Sequence, residues 1–196
     1  MRIRELFEDD NGTDKHVTFC FGRMNPPTIG HEQVFKTMKA QGGDMLIFVS
    51  QTQDRKRNPL DYSQKIDFIR KLHPQYAGDV VDNSSLNTPW KVASYLYDQG
   101  YRHATFVGGD DRQKMYQDLK KYNGQEGPHG FYEFETFDFE SSGERDEGDS
   151  GVAGISATKA RQAAIDGDLK EFSKTTGAGE YAEDLYNAVR TGLKVD

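Results

Sequence analysis

Short apolar runs alternate with amphipathic stretches along this 196-residue chain. HVTFCF (16–21) is a β-branched and aromatic run cut off by Gly22, the pattern of a buried strand entering a loop. MLIFVS (45–50) predicts a second buried strand, Val80 and Val81 a short third, and HATFVGG (103–109) the next strand with its exit loop. FYEFETF (131–137) alternates apolar and polar positions, as a strand with one wet face does. Helical periodicity fills the intervals. Residues 31–38 carry Val34, Phe35 and Met38 on one face, with Gly42 and Gly43 closing the helix. Residues 62–72 repeat Ile66, Ile69 and Leu72, and 88–100 place Pro89 in a first turn with Val92, Ala93 and Leu96 inward. Further helices are expected over 112–122, 157–165, 169–173 and 180–193.

Strands that alternate with helices define an α/β fold, a Rossmann-like doubly wound parallel sheet of about five strands with helices on both faces. The length suits one domain, taken as 16–196, preceded by a polar N-terminal arm (1–15) that reads as a surface-docked tail, the alternative being a short helical patch of Ile3, Leu6 and Phe7. Open parallel sheets bind ligands at the C-terminal ends of their strands where the order reverses, so the loops after Phe21, Ser50 and Val107 are where a site is expected.

Charge narrows the function. A formal net charge of −7 opposes binding to long nucleic acid, whose affinity comes largely from Lys and Arg on phosphates. The acidity is concentrated in an insertion at 138–151, where Asp138, Glu140, Glu144, Asp146, Glu147 and Asp149 face only Arg145. Asp138 to Asp149 faintly echoes a calcium loop with Gly143 at its sixth position, but flanking helices are not predicted; a surface insertion just before a helix fits better. One cysteine, Cys20, excludes an intramolecular disulfide and a thiolate metal cluster. With no apolar run near the ~20 residues of a spanning helix and no signal-peptide core, a cytoplasmic protein without membrane contact is expected. The oligomeric state is open, a homo-oligomer included.

The richest chemistry lies in GRMNPPTIGH (22–31), between the first strand and the first helix. Gly22 permits close backbone approach, Pro26 and Pro27 stiffen the turn, and Gly30 sits where a helix N-terminus offers free N–H groups to an anion. Arg23 and His31 add donors at the two ends. An ordinary Gly/Pro connection would have the same composition. The string, however, resembles the G-x-F-x-P-x-[HT]-x-G-H signature of the HIGH-type nucleotidyltransferase superfamily (cytidylyltransferase-like), with Met24 in place of Phe. ISATKAR (155–161) resembles that superfamily's I-S-x-T-x-I-R motif, with Ala160 for the usual larger apolar residue. GRMNP (22–26), SQTQDRKRNP (50–59) and NTPW (87–90) are similar to stretches of nicotinamide mononucleotide adenylyltransferases of the archaeal-like type.

The resemblance implies transfer of AMP from ATP to a phosphorylated acceptor, nicotinamide mononucleotide giving NAD, with release of pyrophosphate. It assigns His31, Thr28 and Arg23 to the reacting phosphates and Gly22, Gly30, Ser156, Thr158, Arg161 and Asp110 to the nucleotide. Asn58 and Trp90 fall to the acceptor, Trp90 as a stacking face or, on a plainer reading, as a helix-face core residue. Asp110 and Asp111 are ribose ligands or a helix N-cap, and Arg55, Lys56 and Arg57 are phosphate contacts or a solvated basic loop. The implied cofactor is Mg²⁺ held by phosphate oxygens and water, so no protein metal ligand is assigned. Two alternatives remain: cytidylyl or adenylyl transfer to another phosphorylated acceptor, and a non-catalytic nucleotide-binding or assembly protein. P-loop, G-x-G-x-x-G and H-E-x-x-H motifs are absent from the sequence.

Overall fold

The computed structural model describes residues 15–143 and 157–195. Among them four parallel strands form one sheet in the order β2-β1-β3-β4: β1 (His16–Gly22), β2 (Asp44–Val49), β3 (His103–Gly108) and β4 (Thr136–Ser141). Helix α1 (Ile29–Gln41) leads from β1 to β2, and α2 (Tyr62–Leu72) and α3 (Pro89–Asp98) carry the chain back across to β3. Helix α4 (Gln113–Lys121) precedes β4, and α5 (Ala157–Ile165), α6 (Leu169–Thr176) and α7 (Ala182–Leu193) follow it. The order reverses between β1 and β3, whose C-terminal ends are Gly22 and Gly108. That reversal opens a crevice above the sheet.

Both faces are covered, and the period of two sorts the side chains. Val17, Phe19, Phe21, Phe48, Ala104 and Phe106 pack under α3 and α4, whereas Cys20, Met45, Ile47, Val49 and Val107 meet α1 and α2. Phe19 is fully buried at the centre of the first face, its ring 5.3 Å from Phe106, 6.3 Å from Phe137 and 6.4 Å from Phe48. A third core joins α5, α6 and α7 around Phe172, Leu185 and Val189, and Leu60 enters it from the loop after β2. The turn between α6 and α7 presses Gly177 so close to α1 that an added Cβ would stand 2.4 Å from the Ile29 side chain.

Two strand expectations are corrected. Val80 makes only an isolated parallel bridge to Ile47, because a 3-10 turn (Pro74–Asp79) precedes it and Asp82 follows; its buried side chain still serves the core. The sheet of about five strands therefore has four. Residues 131–135 are not a strand: Asn123 binds the Phe134 backbone through both ends of its amide, each at 2.9 Å, and Gly124 donates to the Tyr132 carbonyl. With those groups satisfied off the sheet, pairing starts at Thr136 and runs through Asp138 to Ser141. The first residues of the expected acidic insertion thus belong to an edge strand, and the calcium-loop echo loses its first four positions. The rest of that segment, 144–151, and the arm at 1–14 lie outside the described residues. Observed helices match the expected ones within a few residues, α6 running on to Thr176 and α7 starting after a 3-10 turn (Gly179–Tyr181). Among the described residues no helix is long and apolar enough to cross a membrane.

His73 caps α2 and lies buried, edge-on to Phe35, which also meets Tyr76 edge-on, and its Nε2 is without a hydrogen-bond partner among the described residues. Burial pushes its pKa below the ordinary histidine value of 6.5, against the pull of Glu32. The folded state therefore holds this proton less tightly than the unfolded chain. Its contribution to stability is whole above pH 6.5 and is lost as the pH falls through 6.5 toward the lower folded value. His73→Leu should flatten the fall in melting temperature between pH 7 and 5; a slope equal to the parent's would contradict this account.

Candidate functional site

The loop after β1 is fixed before any ligand arrives. Asn25 is buried and clasps the Leu60 backbone: Nδ2 donates to the Leu60 carbonyl and Oδ1 accepts from the Leu60 amide, both at 2.9 Å. Met24 adopts φ +44, in the left-handed region, and buries its side chain beneath Gly22, where an added Cβ would lie 3.3 Å from the Met24 methyl carbon. Thr28 then caps α1. Its amide donates to Nδ1 of His31 at 3.0 Å, and its hydroxyl lies at the same distance from that nitrogen. An Nδ1 that accepts a backbone N–H carries no proton, so the neutral ring is protonated at Nε2. His31 is thereby held in one tautomer on the wall of the crevice, a cavity of about 240 Å³.

The opposite wall is cationic. Arg161 on α5 donates to the Asn25 carbonyl at 2.8 Å and to the Thr158 hydroxyl at 3.0 Å. Burial, with Arg23 and Arg57 close by, pushes its pKa below the ordinary arginine value, and Asp54 opposes the shift. Arg23, Arg57 and Arg161 thus bring positive charge together at one cavity. Arg57 and Asn58 arrive on the loop after β2, which Asp54 organises by accepting from the amides of Lys56 and Arg57 and from the Asn58 side chain. These bonds hold the exposed Asp54 carboxyl down at about 2. Asn58 is buried, and its Oδ1 is without a hydrogen-bond partner among the described residues.

The cavity brings together most residues singled out from sequence: Gly22, Arg23, Thr28, Gly30, His31, Asn58, Thr158 and Arg161. Three are not placed with them. Ser156 lies outside the described residues. Asp110 does not line the cavity; it accepts from the Ser141 hydroxyl at the end of β4, while Asp111 and Arg112 form the wall. Neither aspartate makes a side-chain cap, since Gly109 holds the cap position of the 3-10 turn Asp110–Arg112. Trp90 is half-buried at the start of α3 and stacks on His129, with ring centroids 5.8 Å apart, at a separate hollow of about 160 Å³. Arg55 and Lys56 stay exposed outside the cavity, and Arg57 alone of that basic run lines it. Sequence reasoning overlooked Asn25 and Arg112. A buried amide before two prolines was the available signal for the first; nothing in the pattern marked the second.

This is the crevice of a doubly wound α/β nucleotide-binding protein, lined by the start of α1 and by arginines. Residues 19–127, more than half of the chain, match the family model described as cytidylyltransferase-like, and the chain belongs to that family. It is a nucleotidyltransferase carrying the HIGH-type core in its threonine form, Thr28-Ile29-Gly30-His31. No curated protein sequence matches it. Two solved structures share the fold. A candidate nicotinate-nucleotide adenylyltransferase from Vibrio parahaemolyticus aligns at TM-score 0.51 and 18% identity, over 87% of this chain and 98% of that one. A bifunctional NMN adenylyltransferase/ADP ribose pyrophosphatase from Francisella tularensis aligns at TM-score 0.52 and 16% identity over 88% of this chain, which spans about half, 52%, of its length.

Removing the Asn25 clasp strands the Leu60 amide and carbonyl in a dry place. Asn25→Ala should cost about 1–3 kcal/mol in denaturant unfolding, and a loss under about 0.5 kcal/mol, the range of an ordinary surface change, would show that the clasp does not hold the two loops.

Proposed function

We propose that the chain transfers AMP from ATP to nicotinamide mononucleotide, forming NAD and releasing pyrophosphate. The single observation that carries this reading is the cavity over the ends of β1 and β3, where a tautomer-fixed His31 faces a cluster of three arginines. The reaction needs no enzyme nucleophile. An oxygen of the acceptor's phosphate attacks the α-phosphorus of ATP in line; a new P–O bond forms as the α–β bridging P–O bond breaks, and pyrophosphate leaves with the electron pair. The protein's part is to hold two anions together and to meet the charge that develops between them.

His31 donates its Nε2 proton in a hydrogen bond to an α-phosphate oxygen, and Thr28 and Arg23 steady the phosphates beside it. Arg161 and Thr158 hold the β- and γ-phosphates, together with Ser156 ahead of α5. Gly22 and Gly30 let the phosphates approach the backbone closely. Asn58 serves the acceptor, since its vacant Oδ1 suits a donor such as a carboxamide N–H or a ribose hydroxyl. Trp90 serves the acceptor only if the base reaches beyond the cavity to the Trp90–His129 hollow, and Asp110 serves the ribose only on release from Ser141. Asp111 brings a carboxylate to a lining otherwise made of hydroxyl, amide, imidazole, guanidinium and apolar groups. The donor set therefore fits Mg²⁺ held by phosphate oxygens and water, with Asp111 the carboxylate on the cavity wall. Bound in that way, Mg²⁺ would neutralise phosphate charge.

The preference for ATP and a pyridine nucleotide rests on the GRMNP and RNP stretches. The two structural neighbours, one a nicotinate-nucleotide and the other an NMN adenylyltransferase, support a pyridine nucleotide as acceptor. Pyrophosphate release should be measured for ATP and CTP against nicotinamide mononucleotide, nicotinate mononucleotide and other phosphorylated acceptors. ATP with nicotinamide mononucleotide should give the highest kcat/KM, and His31→Ala should lower kcat about 10²–10³-fold. A best rate with another pair replaces the acceptor or the nucleotide, and unchanged turnover in the His31 variant removes its assignment.

A further inference from the structure

Lys65 stands in the first turn of α2 and is fully buried. An ammonium there is doubly costly, being out of water and near the positive end of a helix. Among the described residues no carboxylate forms an ion pair with it; the favourable charge acting on it is Asp61, the α2 cap residue. Burial accordingly pushes its pKa down to about 8. A methionine would fill the same space without that cost, so the retained amine points to its donors. They are directed at the Ser50 carbonyl and, at 3.3 Å, the Thr52 carbonyl. Both carbonyls lie just beyond Val49, where β2 ends and the sheet no longer supplies partners. Five residues past Thr52 the same loop delivers Arg57 and then Asn58 to the cavity wall. Its far end is already clasped at Leu60 by Asn25, and its middle is tied by Asp54. At the root the Ser50 amide donates to the Gly22 carbonyl and the Gln51 side chain to the Ser84 carbonyl, and the Ser50 and Thr52 carbonyls are left to Lys65.

We propose that Lys65 is a positioning residue of the phosphate cavity: its ammonium anchors the root of the 50–58 loop and thereby sets where Arg57 and Asn58 stand. It touches neither substrate, and it acts through the loop. The kinetic consequence rests on the nucleotidyl-transfer reading above; the structural consequence does not.

The test uses Lys65→Met and Lys65→Arg in the full chain. Trypsin cleaves after Arg55, Lys56 and Arg57, all exposed on this loop, and Lys120 and Lys121 provide control bonds on α4. Cleavage tracks the population of locally opened chain, so Lys65→Met should be cut in the loop about tenfold faster than the parent, with the control bonds unchanged. In the same variant the KM for ATP and the acceptor should rise about tenfold while kcat changes less than threefold, and Lys65→Arg should restore most of both. Parent-like loop cleavage in a folded Lys65→Met protein overturns the proposal, as does equal acceleration at the control bonds. Should Lys65→Met fail to fold, Lys65→Gln, with one amide in place of the ammonium, takes its place under the same criteria. A parent enzyme inactive with every acceptor removes the proposed function, and loop cleavage then decides the role of Lys65 alone.

Discussion

The pair of hydrogen bonds between Asn25 and Leu60 is the constraint on which the remainder of the site depends. Asn25 belongs to the loop after β1, Leu60 to the loop after β2, and the Asn25 carbonyl also receives the Arg161 guanidinium from α5. One side chain and its own backbone thus join three segments that are distant in sequence. Leu60 is in turn buried in the core formed by α5, α6 and α7, so the clasp ties the loop after β1 to the helical layer behind it. Arg161 is held at the Asn25 carbonyl although Arg23 and Arg57 act on it as like charges, with Asp54 opposing them. The neutral bonds between Asn25 and Leu60 do not depend on that charge.

How much of this was legible in the sequence depends on the length of the signal. Strands β1, β2 and β3 are continuous apolar runs because both of their faces are covered, and the helices carry apolar faces at helical spacing; both patterns survive without tertiary information. The 131–135 stretch misled because its alternation of apolar and polar residues is real, as buried Tyr132 and Phe134 attest, yet Asn123 and Gly124 had taken its backbone groups. Such competition comes from residues outside the window and has no periodicity. Val80 shows the opposite failure, a core contact too short to extend a ladder.

The site divided along the same line. Gly22, Thr28, Gly30 and His31 sit within ten residues, and the loop-to-helix turn that unites them is local, so a sequence motif describes it fully. Arg161 and Thr158 are placed by the fold but announced by their own motif. Trp90 and Asp110 were drawn by analogy with other chains, and here local partners, His129 and Ser141, hold them outside the crevice. Asn25 and Lys65 serve the site by bonding backbone, and backbone partners leave no trace in the pattern of side chains.

The contact between Gly192 and Pro59 gives the loop after β2 a distant support. A Cβ on Gly192 would stand 2.2 Å from the Pro59 carbonyl oxygen, so α7 lies directly against the residue that links Asn58 to Leu60. More than a hundred residues separate the two partners in chain order. The loop's ties from Asn25, Asp54 and Lys65 come from residues up to 65, whereas the backing of Pro59 is supplied by residues 182–193. A change in α7 at Gly192 therefore reaches the crevice through Pro59, although α7 does not line it.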